Sequence, residues 1–175
     1  MTNPILEALE KRRSVRKYKP DQVDEAALEA ILRAGTYAAT GMNKQSPVIV
    51  AVQDKDTIET LRKMNAGVMG DESRDPFYGA PTVVVVLADR RIRTYLEDGS
   101  LVMGNLMHAA NAIGVDSCWI HRAREEFESE EGRALLRKWG IEGDYCGIGH
   151  CLLGYAEGDR PAPKPRKENY IYYVR

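Results

Sequence analysis

Four consecutive valines, Val83 to Val86, limit the folds open to this chain more than any other feature. They lie in the apolar segment 82–88, whose β-branched side chains favour a strand. A strand that is apolar on both faces must be covered on both, so we predict that it runs through the centre of a sheet. The chain has 175 residues, enough to bury such a core, and we expect residues 1–175 to form a single domain.

Cap residues and apolar periodicity predict further helices and strands around this central strand. The helices begin after Asn3, after Asp24, after Asp54 or Asp56, near Thr94 and after Ser129, and the other strands cover 48–52, 115–120 and 145–155. This order lacks a regular alternation of strand and helix. It therefore favours an α+β fold over a doubly wound sheet.

Small residues and glycines predict where the backbone is irregular or closely approached. The segments 38–47 and 67–79 are rich in small and polar residues and are predicted to be loops, the second of them mobile. Gly147 and Gly149 alternate in the last strand, which predicts close packing against one of its faces.

Residues 161–175 have a pattern unlike the rest of the chain. Prolines at 161, 163 and 165 alternate with other residues, which indicates a stiff, extended backbone. Residues 170–174, with the sequence Tyr-Ile-Tyr-Tyr-Val, have strong β propensity. We therefore predict an extended C-terminal arm whose last strand adds to a sheet at a distance, either in its own subunit or in a partner.

Composition excludes several classes of protein. The formal net charge is −1, so there is no broad electrostatic attraction to nucleic acid or to an anionic membrane. No apolar run approaches the about 20 residues of a membrane span, and the N-terminus lacks the basic start and apolar stretch of a signal peptide. Three cysteines, Cys118, Cys146 and Cys151, are too few for a disulfide framework. We predict a cytoplasmic protein in which any bound anion is met by local charge.

Local positive charge is concentrated in two clusters that lie far apart in the sequence. Arg12, Arg13 and Arg16, with Ser14 between them, fall where the first helix should end, and 164–167 reads Lys-Pro-Arg-Lys. The planar guanidinium offers a fork of donors that matches the oxygens of a phosphate. If the two clusters meet in the fold, they can hold one phosphate from two sides. The alternative is that both are solvated surface charge.

Five segments together resemble the FMN-dependent nitroreductase family. They are Arg-Arg-Ser-Val-Arg at 12–16, the loop 38–45 with Asn43 and Gln45, Gly-Ala-Pro at 79–81, the segment 112–120, and Lys-Pro-Arg-Lys at 164–167. They occur in the order typical of the family and cover almost the whole chain. Two departures stand out: Ala39, Thr40 and Gly41 replace proline and serines, and no helical insertion covers the flavin, which implies a more open site.

The resemblance implies a nitroreductase-like α+β fold with a central mixed sheet flanked by helices. It also implies a homodimer that binds FMN at the subunit interface and exchanges the C-terminal arm, residues 161–175, between subunits. The loop around Asn43 would then contact the flavin held by the other subunit. These features are expectations from the family and do not follow from the periodicity of the chain.

For the phosphate of FMN, the resemblance implies ligands from both basic clusters: Arg12, Ser14, Lys164 and Arg166. Arg13 would act mainly through its backbone. Arg16 would reach toward the ribityl chain or the pyrimidine edge, where a positive charge stabilises the anionic reduced flavin.

For the rest of the cofactor, the resemblance implies a second set of contacts. The loop residues of that set are Ala39, Thr40, Gly41, Asn43 and Gln45, and the backbone of Ile120, His121 and Arg122 would face N5 and O4 of the ring. Asn65 is a candidate contact for O2 of the ring, and an equal alternative is a polar residue that only ends a helix. No side chain is predicted to be catalytic, because hydride transfer to N5 needs no acid or base from the protein.

The implied function is an FMN-dependent NAD(P)H oxidoreductase. A hydride passes from NADH or NADPH to N5 of FMN, and the electrons then pass to a nitroaromatic, a quinone or a similar electrophilic small molecule in a ping-pong scheme. The alternative is a flavin-binding electron carrier or redox-responsive protein without turnover of its own.

A metal site is the other alternative that the residues raise. Cys146, His150 and Cys151, with Cys118 and His121, are good zinc or iron ligands by type. Adjacent residues on a strand point to opposite faces, so His150 and Cys151 cannot share a metal. We predict buried apolar cysteines and no metal.

Overall fold

The computed structural model describes residues 3–175, and it has an α+β fold as predicted. Its helices are α1 (Pro4–Lys11), α2 (Glu25–Thr36), α3 (Lys55–Met69), α4 (Tyr95–Ala112), α5 (Ala123–Glu128) and α6 (Glu130–Lys138). Its strands are β1 (Pro47–Val52), β2 (Thr82–Asp89), β3 (Asp116–Ile120) and β4 (Tyr145–Gly154), and a 3₁₀ turn covers Gly41–Asn43. The predicted domain includes residues 1 and 2, which lie outside the described residues. None of the helices described in residues 3–175 is long and apolar enough to cross a membrane.

The strands form one sheet in the order β1-β2-β4-β3, and all neighbouring strands are antiparallel. The valine strand β2 lies between β1 and β4, and Val83 to Val86 are fully buried, so the central position predicted for it is confirmed. Within the described residues, the parallel component of a mixed sheet is limited to one bridge, between Ser14 and Ser117. That bridge attaches the first basic cluster to the edge strand β3.

Each face of the sheet carries its own core. On one face Val83, Val85 and Leu87 pack in a cluster with residues of α3, α5 and α6. On the other face Val84 and Val86 pack with residues of α2 and α4. This alternation follows from the period of two along a strand, and it explains why the valine run has no polar side.

The helix starts follow from their caps. The side chains of Asn3, Asp24 and Ser129 accept hydrogen bonds from backbone N–H groups at the starts of α1, α2 and α6. The Oδ2 atom of Asp54 accepts from Thr57 N at 2.8 Å, which selects Asp54 over Asp56 as the start of α3.

One boundary and one helix differ from the prediction. Helix α3 continues through Gly67 to Met69 and ends at Gly70 with φ 74°, so the connection begins three residues later than predicted. A single glycine costs a helix only about 1 kcal/mol, which packing on neighbouring elements offsets. The mobility of the connection stays a prediction. Helix α5 was not predicted, because a helix of six residues is too short to show a period.

The two glycines of β4 serve opposite faces of the sheet, so the prediction of a shared face was wrong. The register shifts between Val86, which pairs with Gly149, and Leu87, which pairs with Gly147. The bulge adds one residue to β4. The residues of β4 that precede it therefore face the opposite side of the sheet from the side that regular alternation would give them. A Cβ on Gly147 would lie 2.1 Å from Ala123 O, and one on Gly149 would lie 2.3 Å from Trp119 Nε1.

The close approach at Gly147 leads to a stability prediction. We expect Gly147→Ala to lower the free energy of unfolding by about 1–3 kcal/mol, because the backbone of Ala123 has to move. The matched control is Gly67→Ala in α3, where an added Cβ meets nothing within 4 Å and should raise stability by about 0.5–1 kcal/mol. Urea unfolding of both variants measures the difference. Equal stabilities would contradict the packing assigned to β4.

The C-terminal arm adds no helix or strand to this chain. Residues 161–175 contain no helix or strand and are exposed. The side chains of Tyr170 to Val174 are between 67% and 100% exposed. The predicted last strand therefore adds to no strand of its own sheet within the described residues. Addition to a partner's sheet stays a prediction.

Candidate functional site

The first basic cluster is fixed where α1 meets the edge of the sheet. Helix α1 ends at Arg12, whose N–H donates to Ala8 O at 3.2 Å. Val15 is buried, and its N–H donates to Ser117 O of β3 at 3.1 Å. The core position of Val15 and the bridge at Ser14 therefore determine where the neighbouring arginines emerge.

The two basic clusters come together in the fold. A cavity of about 590 Å³ is lined by Arg12, Arg13 and Ser14 from the first cluster and by Lys164 and Arg166 from the second. Arg12 Nη1 also donates to Ser14 Oγ at 3.4 Å. The two clusters are about 150 residues apart in the sequence. They meet because the arm that follows β4 passes the end of α1.

The cations of this cavity form no ion pairs within the described part of the chain, although the carboxylate of Glu10 also lines the cavity. Among the ion pairs formed within residues 3–175, none includes an arginine of 12–16, Lys164 or Arg166. By contrast, surface arginines such as Arg91 and Arg160 are paired with carboxylates. Positive groups that converge on one cavity without ion pairs attract an anion more strongly than scattered surface charges do.

Two further titratable side chains near Arg12 are the thiol of Cys118 and the imidazole of His108, and neither adds negative charge. Burial raises the pKa of the Cys118 thiol, and the opposing effects of Arg16, Ser14 and Arg12 are smaller. Burial and the charge of Arg12 lower the pKa of His108 on α4. The thiol therefore stays protonated and the imidazole neutral near pH 7.

Two arginines of the first cluster, Arg13 and Arg16, are placed differently from Arg12. Arg13 Nη1 donates to Glu10 O and Arg12 O, both at 2.7 Å, so its side chain caps the carbonyl end of α1. A contact of Arg13 with a ligand mainly through its backbone stays a prediction. Arg16 is exposed and does not line the cavity.

The loop around Asn43 is exposed and strained. Met42, Asn43 and Gln45 have φ values of 51°, 55° and 49°, a region that costs side chains of this kind about 1 kcal/mol or more each. Gln45 N donates to Thr40 Oγ1 at 3.1 Å, and Gln45 Nε2 donates to Asn43 Oδ1 at 3.2 Å. Neither these residues nor Ala39 and Gly41 line the basic cavity of the same chain.

A buried carboxylate on α4 holds this loop in place. Asp98 is 2% exposed; its Oδ1 accepts from Gly41 N at 2.9 Å. Its Oδ2 accepts from Ser46 Oγ at 2.9 Å and from Thr94 Oγ1 at 3.1 Å. Sequence reasoning missed Asp98, although a carboxylate in the first turn of an otherwise apolar helix was a usable signal.

The segment after β3 is held by Asn65. Strand β3 ends at Ile120, and Arg122 takes a left-handed conformation with φ 80° before α5. Asn65 of α3 is fully buried and its Nδ2 donates to His121 O at 2.9 Å. Arg122 Nε donates back to Asn65 Oδ1 at 3.0 Å. The structure thus joins Asn65 to the segment 120–122, although its amide is used by protein groups.

The predicted alternative ligands do not assemble into a metal site. His150 packs against Phe77 on one face of the sheet, and Cys151 belongs to the core of the other face. No group of three His, Cys, Asp or Glu side chains in residues 3–175 is arranged to hold a metal ion. Instead, His150 Nε2 lies 2.9 Å and 3.0 Å from the two carboxylate oxygens of Glu126, a partner that sequence reasoning missed.

Comparison with known proteins places this geometry in a family. The Nitroreductase family profile matches residues 9–155. A crystal structure of a nitroreductase with bound FMN from Bacteroides fragilis is 30% identical and has a TM-score of 0.92, covering 99% of this chain and 100% of the other. A second nitroreductase with bound FMN, from Desulfitobacterium hafniense, is 25% identical with a TM-score of 0.89, over 100% of both chains. An NADH dehydrogenase of Thermus thermophilus is 36% identical over 155 residues, which is 87% of this chain and 69% of the relative. Since the match spans most of its length, this chain belongs to the nitroreductase family.

Proposed function

We propose that this protein is an FMN-dependent NAD(P)H oxidoreductase that reduces a nitroaromatic, a quinone or a similar electrophilic small molecule. The observation that carries the proposal is the cavity where two basic clusters meet, whose cations form no ion pairs among residues 3–175. The FMN-bound relatives at 30% and 25% identity support flavin as the ligand. The name of the Thermus relative supports a nicotinamide donor.

The residues of the cavity fit the phosphate end of FMN. Arg12, Lys164 and Arg166 offer positive donors and Ser14 offers a hydroxyl, all around one cavity. A phosphate dianion would supply the negative charge with which these cations can pair. Arg16, exposed beside this cluster, is free to face the pyrimidine edge.

The segment 120–122 is proposed to face the reactive edge of the ring. When bound, FMN supplies a two-electron acceptor at N5, so the protein needs to orient the ring and admit the donor. The left-handed turn at Arg122, held by Asn65, gives the backbone N–H groups of this segment a single direction. Preorganised backbone donors cost no reorientation during the reaction.

The site is proposed to be completed by a second copy of the chain. The loop around Asn43 does not line the basic cavity of its own chain, and we propose that it contacts the flavin held by the second copy. Helices α1 and α4 present exposed Ile5, Leu6, Leu9 and Leu101, which a partner can cover. The exposed arm 161–175 and the outer edge of β1, which pairs only with β2 among the described strands, provide the elements for strand exchange.

The reductase proposal is tested on purified protein loaded with FMN. Addition of NADH or NADPH without air should remove the yellow flavin absorbance, and a later addition of a quinone should restore it. A yellow protein that neither nicotinamide bleaches would support the electron-carrier alternative. A protein that cannot be loaded with FMN would contradict both. Location in the cytoplasm stays a prediction.

Arg12 provides a direct test of the phosphate site. We expect Arg12→Ala to weaken FMN binding by about 1–3 kcal/mol, because a charge-assisted hydrogen bond to phosphate is lost. Arg91→Ala is the matched control, since Arg91 is an exposed surface arginine paired with Asp89. Fluorescence titration of FMN measures both affinities. An unchanged affinity in Arg12→Ala would remove Arg12 from the site.

A further inference from the structure

A buried acid–imidazole pair lies behind the proposed flavin site and has no part in the contacts assigned so far. Glu126 of α5 is 1% exposed and His150 of β4 is 0% exposed. Burial of a carboxylate costs several kcal/mol unless hydrogen bonds and charge compensate for it. Apolar residues would fill the same space at no such cost, so the pair invites a functional explanation.

The pair is arranged so that the carboxylate is the acceptor. His150 Nε2 lies within hydrogen-bond distance of both Glu126 oxygens, at 2.9 Å and 3.0 Å. His150 Nδ1 is buried without a partner, so the tautomer that carries its proton on Nε2 leaves no N–H unpaired. The rings of Phe77 and Phe127 pack against the imidazole, with centres 5.2 Å and 6.3 Å from the centre of the imidazole ring, and they keep water away from it.

Asn65 connects this pair to the segment 120–122. Its Nδ2 donates to Glu126 Oε1 as well as to His121 O, and its Oδ1 accepts from Arg122 Nε. The Nδ2 end of the Asn65 amide faces both Glu126 Oε1 and His121 O, so the carboxylate and the carbonyl require the same orientation of the amide. The opposite end is then fixed as the acceptor for Arg122.

The peptide that this chain of contacts reaches is itself strained. Arg122 has φ 80°, a conformation that costs a side chain of this type about 1–3 kcal/mol. Such a conformation persists only where its surroundings over-determine it. Here Asn65 contacts the residues on both sides of the His121–Arg122 peptide bond.

We propose that Glu126 and His150 are positioning residues that act through Asn65 to hold the His121–Arg122 peptide in the orientation required at the flavin ring. This inference rests on the proposed function, because the ring is assigned to this segment there. It adds two residues outside the cofactor contacts and gives them one role. That role is to set how well the site distinguishes oxidised from reduced FMN.

The test compares Glu126→Gln with Leu136→Ala. Glutamine keeps the size of the side chain but replaces one acceptor oxygen with a donor, so Asn65 Nδ2 and His150 Nε2 compete for the one oxygen that remains. Leu136 lies in the same core cluster and has no polar contact with the segment 120–122, so it controls for lost stability. The readouts are the unfolding temperature, FMN affinity and the flavin midpoint potential.

We expect Glu126→Gln to change the ratio of affinities for reduced and oxidised FMN by about tenfold, which is about 30 mV for a two-electron couple. Leu136→Ala should lower the unfolding temperature and leave the potential unchanged. An FMN-loaded Glu126→Gln protein with the wild-type potential would overturn the positioning role alone. A wild-type protein that binds no FMN would overturn the proposed function and this inference together.

A measurement on the wild-type protein covers the case in which Glu126→Gln does not fold. The chain has three histidines, so selective ¹⁵N labelling resolves the ring nitrogens of His150 once His108→Ala and His121→Ala identify the other two. Reduction of the bound FMN should shift the His150 signals, because the contacts run from its ring to the segment at the flavin. Unchanged His150 signals would overturn the coupling.

Discussion

Removal of residues 169–175 is expected to raise the dissociation constant of the proposed dimer at least about a hundredfold. The truncated segment carries Tyr170, Ile171, Tyr172 and Val174, which are 67–100% exposed in one chain. Burial of each such side chain against a partner contributes about 1.5–3 kcal/mol, and the ordering of the arm offsets part of that sum. A net loss of about 3 kcal/mol corresponds to the expected change. Light scattering over a dilution series measures it.

The position of the cut separates assembly from phosphate binding. A chain that ends at Glu168 keeps Lys164 and Arg166, so a fall in FMN affinity would report loss of the partner's contribution. Removal of Arg175 alone is the matched control, because the apolar run stays complete. A stable, FMN-loaded dimer of the truncated chain would show that the arm does not hold the subunits together.

Asp98→Ala is expected to lower the free energy of unfolding by about 2–5 kcal/mol. The substitution leaves Ser46 Oγ, which is buried, and Gly41 N–H without their acceptor, at about 1–3 kcal/mol each. The loop with its left-handed residues at 42, 43 and 45 then loses its anchor to α4. FMN affinity should fall as well, since the proposed contacts of Asn43 depend on that loop. Urea unfolding and flavin titration measure the two effects.

Two variants define the role of the carboxylate. Asp98→Asn keeps an acceptor for Gly41 N–H and can donate to the hydroxyls of Ser46 and Thr94, so it should retain most of the stability. Glu97→Ala removes the neighbouring exposed carboxylate of the same helical turn and should have little effect. If Asp98→Ala behaved like Glu97→Ala, the loop would not depend on this anchor.

The sequence was most informative where one residue type has one local meaning. The cap residues Asn3, Asp24 and Ser129 predicted the helix starts, and the valine run predicted the central strand. Helix α5 and the β4 bulge escaped prediction for the same reason. A short helix has no detectable period, and the position of a bulge depends on which residues the neighbouring strand offers as partners.

The candidate site divides in the same way. Arg12, Ser14, Lys164 and Arg166 could be named because charge and hydrogen-bonding type are visible in the sequence. Asp98, Glu126 and His150 could not be assigned, because each acts through a partner far along the chain. A buried carboxylate in a sequence looks the same as a solvated one until its surroundings are known.

By itself, the sequence determined the α+β class, the central strand and the presence of two basic clusters. These depend on local preferences and on the pattern of apolar residues, which the chain carries in order. Only the tertiary structure decided that the clusters meet at the end of α1, that the arm leaves its own sheet, and that His150, Glu126 and Asn65 form one connected set. The residues in these contacts are separated in the sequence by 24 to about 150 positions. Packing of the whole chain brings them together, and no local pattern encodes that packing.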